Sequence, residues 1–515
     1  MWNVDLVTAG FSRIPWSNWH KRLRSKRIDA WIRHLLFDCP VAALVLQGYV
    51  TRPRLLRMLS ALTLFGVILI GTALIYRYVA EEARTSRLQA RYLAELGREL
   101  SYRTEPGASD SIRFPRSGPY DVRLGYADLP KMISKLQGHN YQITRQARLS
   151  PRMAELIDRG LNSPYREKVQ AGLKVLDCND QALFSARYPE RVYDRFDAIP
   201  PLLVNSLLFI ENRELLDPSE PKRNPAVAWD RFAKAVLDQG LHLVDSEHET
   251  PGGSTLATQI EKYRHSAEGR TASVKDKLQQ MASASVRSYL DGEDTGPTRR
   301  QIVLDYLNSM PLAAKAGFGE IHGLGDGLWA WYGWDFAEVN RLLPDGTGKQ
   351  VSTPQATAYK QALSLLVAQR RPSYYLIEGA DDLEGLTNSH LRLLADAGIV
   401  SPGLRDAALA VPLKLKMNGA SLPPESFVSR KAVSSVRNDA ANLLGTPRRY
   451  DLDRLDLTLS TTLEGEAQRA ITERLATLKN PAAAQAAGLY GYHLLDKADK
   501  LDSIRYSFEI GRAHV

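Results

Sequence analysis

The stretch GGSTLATQIEKY, residues 252–263, lies downstream of Glu211, a single acid that closes the apolar run LLVNSLLFI at 202–210. Two glycines ahead of Ser254 and Thr255 make a loop whose amides and hydroxyls can approach an anion closely. Gln259 and Lys262 follow three residues apart, a spacing that puts both on one face of a helix. A carboxylate and an anion-cradling loop in one domain point to a reaction in which one group loses a proton while a charged leaving group departs.

Working outward, 515 residues with 44% hydrophobic content are enough for two or three domains with real cores. The net charge of +9 suits nucleic acid, anionic lipid or a phosphorylated substrate. No basic-aromatic module, zinc-finger spacing or helix-turn-helix pattern accompanies it, so nucleic acid is not expected as a partner. A membrane is. Residues 58–76, MLSALTLFGVILIGTALIY, carry no charge and can cross a hydrocarbon core of ~30 Å as one helix. Ten Lys and Arg lie at or before Arg57, against Asp5, Asp29 and Asp38. That bias predicts a single-pass protein with its N-terminus cytoplasmic and everything after Tyr76 outside, which in a bacterium is the periplasmic side of the inner membrane. Cys39 and Cys178 then fall on opposite sides and cannot pair.

The expected organisation is a basic cytoplasmic segment at 1–57, a transmembrane helix at 58–76, and a stalk and linker at 77–119. A small α+β module follows at 120–172. The apolar runs of 173–184 around Asn179-Asp180 read as a hairpin. Residues 173–400 form a mostly helical domain, with helices expected at 202–214, 228–243, 256–264, 274–290, 300–308, 325–332 and 353–369. Residues 401–509 read as a helical extension and linker toward a further C-terminal domain. The closing IGRAHV, 510–515, has the look of a translated sequencing adapter.

The succession of segments is informative as a whole: IPPLLVNSLLFIENRE at 199–214, GGSTLATQIEKY, GRTASVKDKLQQMASAS at 269–285, RRQIVLDYLNSMPLA with GEIHGLGDGLWAWYG across 299–333, and QALSLLVAQRRPSYYL at 361–376. It resembles the five motifs of the peptidoglycan glycosyltransferases, glycosyltransferase family 51, the transglycosylase domain of class A penicillin-binding proteins. DLTLSTTLEGEAQRAI at 456–471 resembles the linker that joins that domain to a transpeptidase.

The resemblance implies a mainly α fold: a lysozyme-like glycosyltransferase domain behind a single N-terminal transmembrane helix, with the small α+β module between them. It implies polymerisation of lipid II onto a nascent glycan strand, with β-1,4 bonds and release of undecaprenyl pyrophosphate. Glu211 matches the family's motif-one glutamate, a general base. Gly253, Ser254, Thr255, Gln259 and Lys262 match the donor-binding loop and helix. Arg270 and Lys275 fall where the family places cations near the diphosphate, and Asn308 belongs to the Tyr-Leu-Asn segment. Ungapped counting from Arg270 puts Leu278 at the place of the second catalytic glutamate, so Asp276, the nearest acid, is the candidate. Two residues on a helix differ by about 200° in direction, which makes the choice consequential. No cofactor is required; Mg²⁺ or Mn²⁺ is compatible with a diphosphate leaving group. Other cell-wall synthesis proteins are expected partners.

Two other readings compete. A lysozyme-like lytic glycosidase also uses a glutamate in a helical domain, but has no task for Lys262, Arg270 and Lys275. A non-catalytic relative would bind lipid II or a synthase without turnover. The aromatics Trp229, Trp329, Trp331, Tyr332 and Trp334 read as core rather than a sugar platform. The GTGK at 346–349 reads as a turn, and the histidines show no metal-ligand spacing.

Overall fold

A computed structural model describes residues 53–229, 254–343, 351–417 and 427–492, together with 495, 496, 501 and 504. Most of the expected 1–57 segment, nearly all of the helix expected at 228–243, Gly253, the 346–349 turn and 510–515 lie outside the described residues. The protein is mainly α.

The chain divides into two units, residues up to Glu81 and residues from Glu82 onward. In the first, helix α1 (Pro53–Thr85) begins. It carries apolar side chains on every side, among them the exposed Leu62, Phe65, Ile68 and Ile75. A helix with no polar face has nothing to turn toward water, and among the described residues this is the one long and apolar enough to span a membrane.

In the second unit, Ser86 adopts a left-handed conformation, and α2 (Arg87–Glu99) follows. It is not a free stalk: its amphipathic face packs Ala90 and Ala94 against Tyr289. Strand β1 (Tyr102–Pro106) comes next, then α3 (Pro119–Arg123), α4 (Leu129–Gly138), β2 (Arg145–Leu149) and α5 (Pro151–Asp158). β1 and β2 pair antiparallel, Tyr102 opposite Leu149. Part of the expected 77–119 linker is thus a strand, and the small module begins earlier than 120. Its β partner lies some forty residues on, out of reach of a local pattern. The expected hairpin forms from β3 (Leu173–Leu176) and β4 (Ala182–Ser185), with Asp180 left-handed in the turn.

The helical body comprises α6 (Pro201–Glu211), α7 (Leu256–His265), α8 (Val274–Ser288) and α9 (Gly296–Ser309). A short hairpin, β5 (Pro311–Lys315) and β6 (Gly319–His322), leads to α10 (Leu324–Tyr332), α11 (Phe336–Leu342), α12 (Thr353–Ala368), α13 (Ala380–Asp396) and α14 (Pro402–Ala410). α12 is buried from Ala358 to Ala368, which explains its lack of a polar stripe. Its one charge, Lys360, pairs with Glu384 at 2.7 Å and donates to the Val411 carbonyl at 2.6 Å. Tyr359 shares a 2.8 Å hydrogen bond with Ser206, tying α12 to α6. Trp331 is buried and its indole N–H reaches the Leu312 carbonyl at 3.0 Å, a core role as expected.

The chain then returns. Helices α15 (Phe427–Leu444) and α16 (Arg449–Leu452) precede β7 (Leu457–Ser460), with α17 (Gly465–Thr477) and α18 (Pro481–Ala486) after it. β7 runs parallel to β3, Leu457 opposite Leu173, giving the order β4-β3-β7. Met132, Leu173, Val175, Ala440, Leu452 and Leu455 share one small core. Residues expected as two separate pieces, the module and the 401–509 extension, are therefore one packed unit. Strand pairing across nearly three hundred residues leaves no periodic trace in either segment.

Candidate active site

α6 starts with Pro201 in its first turn and buries Leu202, Leu203 and Leu207 before ending at Glu211. Burial of those leucines fixes the rotation of the helix and so the place of Glu211 at its end. α7 is started by Thr255, whose hydroxyl accepts from the Thr258 amide while the Thr258 hydroxyl accepts from the Thr255 amide. That reciprocal cap satisfies two otherwise orphan donors. It leaves the next residue, Gln259, directed at Glu211: the amide Nε2 donates to Glu211 Oε2 at 2.7 Å. Tyr306 of α9 donates to Gln259 Oε1 at 3.5 Å, which orients the amide with its NH₂ toward the carboxylate.

Lys262, one turn further along α7, is half-buried. Desolvation lowers its pKa and the nearby Glu211 carboxylate pulls it back up. Lys277 of α8 is lowered likewise, by burial first and then by the charge of Lys262. Its ammonium donates to Ser254 Oγ at 2.6 Å. Two partly desolvated lysines of like charge, one of them beside the Glu211 carboxylate, leave this site short of negative charge among the described residues. An anion would supply it.

A pocket of about 470 Å³ opens beside Lys262. Arg270, Arg370 and Arg371 line it with Lys262, against a single acid, Glu268. Arg371 lies over the Tyr374 ring, 4.7 Å from its centroid, where the π-helical turn Tyr374–Glu378 begins. Arg370 is near enough to Tyr306 to act on its hydroxyl electrostatically. The basic pocket and the Glu211–Gln259 pair are thus joined through Lys262 and Tyr306.

The remaining expected residues fall in different places. Lys275 is exposed on α8, and Arg270 is an exposed wall of the pocket. Thr255 is buried and occupied with capping and with the Ala226 carbonyl. Asn308 is also buried. Its amide exchanges two 2.8 Å hydrogen bonds with the backbone of Tyr193, which anchors that loop. The backbone of Asn308 also presses on Gly323, left-handed at φ 78°, where a Cβ would come within 2.5 Å of the Asn308 carbonyl. Asp276 sits in the first turn of α8 with its carboxylate accepting from the Ala272 amide at 3.1 Å, while Ser273 caps the helix. Its charge is well placed at a helix N-terminus, which suffices to explain it. Leu278 is exposed.

Lys277 was not anticipated, nor were Arg370 and Arg371. Lys277 could have been found from its helix. Gln280 and Ala284 are buried on α8, and positions 277, 280 and 284 share a face, whereas 275 points about 200° away from 277. For Arg370 and Arg371 the sequence offers only a charged pair ahead of a proline. Among the described residues no three His, Cys, Asp or Glu side chains converge as a metal cluster would require.

A helical domain in which a hydrogen-bonded carboxylate and amide stand near a cation-lined pocket is suited to group transfer from an anionic carrier. Residues 180–394 match the family model described as Transglycosylase, and this stretch contains Glu211, Gln259, Lys262, Lys277 and Arg370. The chain carries a transglycosylase domain of the glycosyltransferase family 51 type, whose activity class is peptidoglycan glycosyl transfer. No curated protein matches the chain.

Proposed function

We propose that the protein is a membrane-anchored peptidoglycan glycosyltransferase that polymerises lipid II, with Glu211 as general base. The observation that carries this reading is the meeting of Glu211 with Gln259, from two separate motifs, beside two desolvated lysines. The Glu211 carboxylate takes the proton of the acceptor 4-hydroxyl, and that oxygen forms a bond to C1 of the donor sugar. The C1–O bond to the diphosphate breaks with inversion, and the electron pair leaves on undecaprenyl pyrophosphate. Lys262 and Lys277, with Arg270 and Arg370 at the pocket wall, offset the charge gathering on that leaving group. Mg²⁺ or Mn²⁺ would enter with the diphosphate, whose oxygens are its natural ligands. In this reading α1 anchors the chain in an inner membrane with the catalytic domain outside the cytoplasm.

A second reading has one observation in its favour. With Asp276 engaged at a helix start and Leu278 at the counted position, no second acid is evident beside Glu211 among the described residues. That suits a lipid II-binding relative without turnover. The lytic reading has no use for the cations. Purified full-length protein in micelles, given labelled lipid II, is expected to make glycan polymer. Glu211→Gln should reduce this by at least about a hundredfold while lipid II stays bound. Binding without polymer in the wild type would favour the second reading, and shortening of pre-made strands the lytic one.

A further inference from the structure

The far end of α7 holds a charge cluster that neither the family match nor the proposed chemistry uses. Arg264 and His265 lie two and three residues past Lys262 and do not line the pocket. His265 Nδ1 lies 2.8 Å from Asp121 and its Nε2 lies 2.6 Å from Glu167. Arg264 pairs with Glu167 at 2.8 Å, and Arg287 of α8 pairs with both Glu167 and Glu261 at 2.7 Å. Asn162 donates to Glu261 at 2.9 Å. The side chains of Glu167, Asp121 and Arg264 are all at least 96% buried. The backbone agrees. Gly118 holds φ 115° because a Cβ there would come within 2.6 Å of the Arg264 carbonyl and 2.8 Å of His265 Cα. Tyr120 stacks edge-on to the His265 ring, centroids 5.8 Å apart.

Among the described residues, the carboxylates that pair with Arg264 or His265 precede the transglycosylase match, Asp121 from α3 and Glu167 from the loop after α5, while Asp305 within the match acts on Arg264 only electrostatically. Buried ion pairs bring little net stability but hold one geometry strictly, because every displaced partner is left as an unpaired buried charge. Here the geometry held is the C-terminal end of the helix that carries Gln259 and Lys262. We propose that residues 118–167 clamp α7 from behind, with Asp121, Glu167 and His265 as positioning residues that set where Gln259 and Lys262 stand.

The inference rests on the proposed site for what Gln259 and Lys262 do, so the test reads the clamp separately from function. Asp121→Asn, His265→Gln and Gly118→Ala are made in the full chain and kept in micelles. Amide hydrogen exchange is followed in residues 256–265 and, as the internal reference, in residues 353–368. Binding of undecaprenyl diphosphate in micelles is measured alongside. The clamp predicts exchange in 256–265 faster by about tenfold or more with 353–368 unchanged, and weaker diphosphate binding wherever the wild type binds. Equal acceleration in both segments, or none in 256–265, overturns it. So does failure of all three variants to fold, since the cluster would then be a general staple of the domain. If the wild type binds no diphosphate, the proposed function fails while the exchange result still decides the clamp.

Discussion

The two ends of α7 treat charge in opposite ways. Toward Glu211 and the pocket, Gln259 and Lys262 stand among cations that outnumber the acids of the described residues, with Lys277 and Arg370 close by. Toward residues 118–167, Arg264 and His265 are matched by Glu167 and Asp121. The balanced end is a fastening, its carboxylates Asp121, Glu167 and Glu261 each held by a cation. The unbalanced end keeps its desolvated lysines short of counter-charge, the arrangement expected where an anionic group binds and departs.

That contrast can be broken most forcefully at Glu167. Glu167→Ala strips one carboxylate from three buried cations and is expected to destabilise the domain by about 3–5 kcal/mol, read from chemical denaturation. A loss as small as that of a surface substitution would mean the cluster is not the fastening described. At the other end, Lys277→Met should weaken diphosphate binding by about ten- to a hundredfold through loss of one charge-assisted contact, roughly 1.5–3 kcal/mol. The exposed Lys275→Met should change it far less. Equal effects would erase the distinction between inner and outer faces of α8.

The balanced end also predicts a pH response. Glu167 and Asp121 push the His265 pKa up to about 10, against about 6.5 in an unfolded chain. A raised histidine pKa stabilises fully below the unfolded value and is lost as pH rises through the folded one. Thermal stability should therefore decline between about pH 6.5 and 10, and His265→Gln should flatten that limb. A wild-type profile already flat there would contradict the charged histidine. Asp276→Asn is expected to have the smallest effect, leaving polymerisation within about threefold. A loss of a hundredfold or more would restore Asp276 as the second acid.

Much of the catalytic half was legible in the sequence. The apolar run before Glu211 and the Ser-Thr start of the following helix are local signals, and they meet in space as the Glu211–Gln259 hydrogen bond. Lys277 was passed over in favour of Lys275 because sequence order names a residue but not its direction, and two positions along a helix reverse the face. The surroundings of Asn308 were hidden for a related reason. A buried amide can bind a backbone as readily as a ligand, and only the position of Tyr193 decides which.

By itself, the sequence determined the membrane-length apolar helix, the helical character of the transglycosylase domain and the candidates Glu211, Gln259 and Lys262. Each follows from composition or spacing over a few turns of chain. Tertiary structure alone decided that β7 completes the sheet of β3, that residues 118–167 grip the back of α7, and which lysines face the pocket. These depend on contacts between residues up to nearly three hundred positions apart, and on helix rotations fixed by the packing of the core. Neither leaves a periodic mark on the chain.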